Sequence, residues 1–199
     1  AAWAIDTHMD MQRAIERFGN ADWVFAAQKN GAEQMGTALG RPVSWLPLAC
    51  DPELHRPVAE TEKVFDIGFV GHPVGKRRCE LLDALEMQFP NSWIGQAFHN
   101  EMAIMFSQFN VAFNCSVGGD VNMRVFEAQA CGCPLVTDDI DDNGLHELFD
   151  VGEHLVCYRN SEELLAAVER LNSDEELRLR LADQGRRHVL SCHTYQHRM

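Results

Sequence analysis

The sequence predicts an α/β protein whose main domain is a Rossmann-like parallel sheet flanked by helices, together with a partial second α/β unit. From residue 66 onward, short apolar runs alternate with amphipathic stretches, which is typical of successive βα units. Before residue 66 the pattern changes to short strand candidates around a single helical stretch. The two patterns therefore predict one complete domain and part of another.

The partial unit comes first along the chain. Residues 23–27 and 43–48 are strand candidates, and a helical stretch lies between them near 31–39. Pro52 and Pro57 follow, and then a charged stretch, and proline discourages regular structure. We therefore predict a partial unit over 1–50, a linker over 51–64, the complete domain over 65–190 and a tail over 191–199.

The elements of the complete domain can be assigned in order from their apolar spacing. The predicted strands are 66–70, 92–96, 111–115, 135–137 and 154–158. Helical spacing covers 81–89, 102–109 and 125–130. Ser161 is predicted to cap a helix that runs through 171, and a last helix is predicted over about 174–190.

Composition and charge exclude several classes of protein. With 17 basic and 30 acidic residues among 199, the net charge of −13 argues against a binder of nucleic-acid polymers. No apolar run is long enough to span a membrane. Seven cysteines, an odd number, fit a reducing cytoplasm. Since the first residues carry neither an initiator methionine nor a signal-peptide pattern, we expect a chain that begins within a longer protein.

A basic segment follows the first strand of the complete domain and leads into a helix at about residue 77. Glycines such as Gly71 let the backbone approach an anion, and a helix start offers unpaired N–H groups. Together with His72, Lys76 and Arg77 they outline a phosphate site. The alternative is a turn that leads into a solvated basic helix.

A second segment pairs glycines with a helix start. Gly118 and Gly119 follow the strand at 111–115, and a helix begins near Asn122 and carries Arg124 and Glu127. Ligands of open α/β sheets bind outside the carboxyl ends of the strands, so both segments are predicted to face one ligand. A carboxylate such as that of Glu127 can accept hydrogen bonds from two ribose hydroxyls, while Arg124 can contact a pyrophosphate.

Residues 124–137, RVFEAQACGCPLVT, resemble the group 1 glycosyltransferase motif of the GT-B fold. The stretches 144–149, 152–153, 185–188 and 193–195 are similar to the CgeB-like (spore maturation protein B-like) branch, and the resemblance covers roughly 46–198. It implies a transferase whose C-terminal domain holds a nucleotide-diphosphate sugar, with residues 1–50 left from the acceptor-side domain. It also implies that Glu127 binds the ribose and that 71–78 binds the diphosphate.

One departure from that motif keeps other functions open. Many group 1 enzymes carry a glutamate eight positions before the ribose ligand, and Gly119 stands there, next to Asp120. A catalytically inactive nucleotide-sugar or protein-binding module, and a nucleotide-sugar epimerase, therefore remain alternatives to a transferase with an unknown acceptor. The fragment by itself is expected to be inactive, since half of the cleft is absent, and its exposed apolar edge predicts self-association into a homo-oligomer.

The remaining candidates concern catalysis and metals. Asp6 and His8 follow the apolar run at the amino end, where a base for the acceptor hydroxyl would be needed. No cofactor or metal is expected, because Lys76, Arg77 and Arg124 can neutralise the leaving diphosphate. Three weaker hypotheses for a metal site are an acidic loop at 137–144, the pair of thiols in 131–133, and a helical face. That face would consist of His188, Cys192, His193 and His197.

Overall fold

The computed structural model describes the backbone of residues 1–199 and every side chain except that of residue 141. The chain forms two compact units, each made of three segments. The first unit comprises Ala1–Leu48, Gly118–Val121 and Ile140–Leu148. The second comprises Ala49–Val117, Asn122–Asp139 and Phe149–Met199.

The first unit is a small parallel sheet with two main helices. Its elements are β1 (Ala2–Ala4), α1 (Met11–Phe18), β2 (Val24–Ala26), α2 (Lys29–Leu39) and β3 (Ser44–Trp45), followed by a 3-10 helix (Asp141–Asn143) and α6 (Leu145–Leu148). The strands pair in the order β1-β2-β3. The core is formed by small and sulfur-containing side chains, among them Ala4, Val24, Ala26 and Met35. The predicted strands and α2 are present, whereas α1 was not predicted.

The second unit is a five-stranded parallel sheet with helices, as the sequence predicts. Its elements are β4 (Phe65–Val70), α3 (Lys76–Gln88), β5 (Ser92–Gly95), α4 (Asn100–Gln108), β6 (Phe109–Phe113), α5 (Met123–Ala130), β7 (Leu135–Asp138), β8 (Val156–Tyr158), α7 (Ser161–Ser173), α8 (Glu175–Cys192) and a closing 3-10 helix (Tyr195–Arg198). The strand order is β5-β4-β6-β7-β8. All pairs are parallel, so the carboxyl ends of the strands share one edge.

Apolar side chains fill both faces of this sheet. On one face, Ile67 and Phe69 of β4 belong to a buried cluster with leucines of α3 and α7. Gly68, also on β4, lies against the ring of Phe109. A Cβ added at residue 68 would come within 2.1 Å of the nearest atom of that ring. A side chain at residue 68 would therefore displace that ring from the sheet.

Several boundaries differ from the prediction for local reasons. Strand β6 begins at Phe109 and not at residue 111, because α4 ends at Gln108 and Phe109 is extended. Strand β8 begins at Val156 and not at residue 154, because the backbone N–H of His154 turns back to the carbonyl of Asp150. Helix α3 begins at Lys76, one residue earlier than expected. Among the described residues, no helix combines the length and hydropathy needed to cross a membrane.

The cap of α7 is Asn160, so the prediction of Ser161 as the cap is wrong by one residue. The Asn160 carboxamide oxygen accepts a hydrogen bond from the backbone N–H of Glu163 at 2.9 Å. We expect Asn160→Ala to lower the free energy of unfolding by about 1 kcal/mol, because a helix N–H loses its acceptor. Urea unfolding measures this difference. The control Ser161→Ala should change stability by less than about 0.5 kcal/mol, and equal losses in the two variants would contradict the assignment.

Candidate active site

Hydrogen bonds join the loops at the carboxyl ends of β4, β6 and β7 in the second unit. Arg124, in the first turn of α5, donates from Nε to the carbonyl of Val70 at the end of β4, at 2.8 Å. Ser116, after β6, donates from its backbone N to a carboxylate oxygen of Asp138 at 3.0 Å. The guanidinium of Arg77 contacts the other oxygen of Asp138, also at 3.0 Å. The basic segment and the start of α5 are therefore fixed to one edge of the sheet, as the sequence predicts.

The basic segment ends in a helix start that no side chain caps. Gly75, the N-cap of α3, has φ +89°, a left-handed conformation that favours glycine, and it offers no capping side chain. The side chain of Lys76 is 90% exposed and lies 3.8 Å from the carboxylate of Glu80. The first N–H groups of α3 and the charge of Lys76 thus remain accessible to an anion.

Arg78 has a structural role that the spacing did not reveal. Its side chain is buried, and its guanidinium donates to the carbonyl of His72 at 2.8 Å and to the carbonyl of Cys115. The same guanidinium lies 5.5 Å from the centre of the Phe69 ring. Arg78 therefore connects the basic segment to the end of β6.

Glu127 is a buried carboxylate with two basic neighbours. It is 4% exposed, and one of its oxygens is paired with the guanidinium of Arg124. Its other oxygen lies 3.5 Å from Nε2 of His55. Since the backbone N–H of Asp51 donates to Nδ1 of His55 at 3.0 Å, the hydrogen of the neutral ring is on Nε2 and faces Glu127. Burial lowers the pKa of His55, although the charge of Glu127 opposes this, which favours the neutral ring.

Asn122 fixes the position of this helix. Its side-chain oxygen accepts from the backbone N–H of Arg124 at 3.1 Å, which confirms the predicted start of α5. Its amide group donates to the side chain of Asn114 at 3.2 Å. His55, by contrast, was not predicted, because it precedes Glu127 by 72 positions and no motif links the two.

The other predicted site residues belong to the first unit. The His8 ring lies against Gly118, where a Cβ would come within 2.7 Å of the ring. Asp6 adopts a left-handed conformation at φ +55°, and Gly119 does so at φ +69°. The carbonyl of Gly119 accepts a hydrogen bond from the side chain of Asn143 at 2.7 Å. The structure thus places the predicted base beside the glycine pair, within the same unit.

Two of the three hypotheses for a metal site, the helical histidine face and the pair of thiols, are not supported by the described side chains. His188, Cys192, His193 and His197 include no three ligand atoms close enough to share one ion. All seven cysteines are unpaired, and burial raises the pKa of the Cys133 thiol to about 12, so a packing role fits better. In the acidic stretch, Thr137 and Asp138 are buried in β7, while the side chain of residue 141 lies outside the described residues.

Comparison with known families assigns the chain to a family. The model of a family described as glycosyl transferase-like matches residues 53–199. The chain belongs to this family. Its matched segment contains the whole five-stranded sheet, the basic segment and α5. None of the curated protein sequences compared with the chain matches it.

Solved GT-B glycosyltransferases share the fold at low identity. Sucrose-phosphate synthase from Thermosynechococcus elongatus aligns with a TM-score of 0.72 and 17% identity over 96% of this chain and 58% of its own. Anabaena HepE, solved with UDP and glucose, aligns with a TM-score of 0.74 and 13% identity over 96% of this chain and 65% of its own. The C-terminal domain of LpcC, a group 1 glycosyl transferase from Francisella tularensis, aligns with a TM-score of 0.56 and 13% identity. This alignment covers 71% of this chain and 97% of the LpcC domain. The chain thus spans less than two thirds of the first two structures.

Proposed function

We propose that this chain is the donor-binding half of a CgeB-like GT-B glycosyltransferase that transfers a sugar from a nucleotide-diphosphate sugar to an acceptor. In this proposal residues 1–50 belong to the acceptor-side domain, 51–64 are the linker, and 65–190 bind the donor. The free thiols are consistent with a cytoplasmic protein.

The observation that carries the proposal is the fixed position of Glu127. Its carboxylate is held by Arg124, and Arg124 also donates to the last residue of β4, from which the basic segment continues. A ribose at Glu127 would thus place its diphosphate near the uncapped start of α3. Lys76, Arg77 and Arg124 would neutralise the leaving diphosphate without a metal ion, and His8 or Asp6 would accept the acceptor's proton.

A thermal-shift titration tests donor binding. We expect UDP, ADP or GDP at a concentration of about 100 times its Kd to raise the melting temperature by about 5–10 °C, since only the folded state binds it. The shift should persist in EDTA, because basic side chains are proposed to replace a metal. Absence of a shift with all three nucleotides would contradict the proposal.

Gly119 favours a second candidate, a binding module that kept the fold and lost catalysis. No side chain is available at this position to contact a donor sugar, where many group 1 enzymes have a glutamate. The full-length protein separates the candidates. Transfer or slow donor hydrolysis would support the enzyme, binding without either would support the module, and an epimerised sugar without acceptor would indicate an epimerase.

A further inference from the structure

Three histidine rings pack together near the end of α8 in the second unit. The rings of His154 and His188 are stacked, with centres 3.9 Å apart and planes within 12°. Nε2 of His188 lies 3.2 Å from Nε2 of His193. The ring of Phe149 lies 5.2–6.5 Å from the centres of all three. The donor-site residues described above do not include these rings.

The hydrogen-bond partners fix where each ring carries its hydrogen. The guanidinium of Arg198 lies 3.0 Å from Nδ1 of His193, and since guanidinium only donates, this nitrogen accepts. The hydrogen of His193 is therefore on Nε2 and is donated to Nε2 of His188. His188 in turn must carry its hydrogen on Nδ1. The backbone N–H of Asp150 donates to Nδ1 of His154 at 3.0 Å, so His154 carries its hydrogen on Nε2.

This arrangement requires all three rings to be neutral. A proton added to His193 or His154 would place a new N–H against an existing donor, the guanidinium of Arg198 or the backbone N–H of Asp150. A proton added to His188 would place two N–H groups against each other. Moving the hydrogen of His193 from Nε2 to Nδ1 would relieve that contact, but it would direct an N–H at the guanidinium of Arg198. The same contacts exclude an ion between His188 and His193, because Nε2 of His193 carries the hydrogen.

The charged groups around the cluster also favour neutral rings. Arg198 is the cation beside His193, and the carboxylate of Asp150 lies 4.0 Å from His154 but is 78% exposed, so solvent screens it. Glu153 is the other acidic group that acts on His154. Burial and the neighbouring His188 lower the pKa of His154 and outweigh both carboxylates. Phe126 and Phe149, the other rings in contact, carry no charge.

The cluster holds the closing segment, residues 193–198, in place. The carbonyl of His193 accepts from the backbone N–H of Cys50 at 3.0 Å, and the N–H of Tyr195 donates to the carbonyl of Cys50 at 3.0 Å. The ring of His193 also packs on Phe126, 5.7 Å away, in α5 between Arg124 and Glu127. The position of the closing segment is thus coupled to the helix that carries the buried glutamate.

We infer that His154, His188 and His193 form a proton-sensitive latch, which holds the closing segment on Cys50 and α5 when neutral and releases it on acidification. An unfolded histidine has a pKa of about 6.5, and because the pKa of His154 is lowered in the folded state, the latch is fully formed above that value. It weakens as pH falls from about 6.5 towards the folded pKa. Because α5 carries Glu127, release of the closing segment would also change donor affinity, and this consequence rests on the proposed function.

Hydrogen exchange of the full chain tests the latch without any nucleotide. Between pH 7.5 and 5.5, after correction for the intrinsic exchange rate, we expect protection of the Cys50 and Tyr195 amides to fall about tenfold or more, while that of Val111 in β6 stays constant. His188→Gln should reduce this fall, because a carboxamide oxygen can accept from His193 and does not titrate. The control His99→Asn, at an exposed position, should retain it.

Imidazole nitrogen chemical shifts of the wild-type chain give a second measurement that needs no variant. We expect hydrogens on Nδ1 of His188 and on Nε2 of His193 and His154 at neutral pH, and titration of His154 below pH 6.5. Constant protection, an unchanged fall in a folded His188→Gln variant, or titration of His154 at or above pH 6.5 would overturn the latch. A latch without nucleotide binding at any pH would refute only the proposed function.

Discussion

We expect Glu127→Ala to abolish the rise in melting temperature that a nucleoside diphosphate gives the wild-type chain. The carboxylate is the acceptor proposed for the two ribose hydroxyls, and alanine offers none. Loss of a hydrogen bond to a charged group costs about 1.5–3 kcal/mol of affinity per bond, so two such bonds weaken binding by about 100-fold or more. Isothermal titration of the variant with the best nucleotide gives this change directly.

Two further variants separate binding from folding. Removing Glu127 leaves the partly buried Arg124 without its carboxylate, so the unliganded variant should itself lose stability. Glu127→Gln keeps the size and one acceptor oxygen and should retain part of the nucleotide shift. Glu86→Ala, at an exposed position of α3, serves as the control and should leave the shift unchanged. An undiminished shift in a folded Glu127→Ala chain would refute the assigned ribose contact.

The presence of the five strands in the second unit could be predicted because short apolar runs alternate there with amphipathic helical stretches. Their ends were harder to place, since a strand boundary depends on tertiary contacts. Phe109 fits the apolar stripe of α4 as well as it fits β6, and its tertiary contacts, the pairing with Phe65 of β4 and the packing on Gly68, decide between them. The capping error at α7 is of the same kind, because Asn160 and Ser161 are adjacent and both can cap a helix.

The candidate site could be predicted where its residues are close in sequence. Arg124 and Glu127 are one helical turn apart, so their pairing follows from spacing alone. His55 approaches Glu127 only through the fold, and no local pattern could have identified it. Among three consecutive basic residues, the sequence also could not show which one turns inward. The structure buries Arg78 and exposes Lys76.

That difference between neighbours predicts opposite behaviour of two variants in the basic segment. Arg78→Met should lower the free energy of unfolding by about 2–3 kcal/mol, because the buried carbonyl of Cys115 and the carbonyl of His72 both lose a charged donor. Lys76→Met removes a side chain that is 90% exposed, and should change stability by less than about 0.5 kcal/mol. Chemical unfolding of the two variants side by side measures the contrast.

The effects of these two variants on nucleotide affinity should be the reverse of their effects on stability. Lys76→Met removes a charge proposed to face the diphosphate, so the variant should bind nucleotide more weakly while its fold stays intact. The remaining affinity should also depend less on salt concentration. Arg78→Met should weaken binding only as far as the basic segment loses its attachment to the end of β6, and Arg78→Lys should restore part of it by donating to one carbonyl. If Arg78→Met were as stable as wild type, the two carbonyls would have other donors and Arg78 would be available for the ligand. If Lys76→Met bound nucleotide normally, the diphosphate would depend on the uncapped helix start and on Arg77 and Arg124 instead.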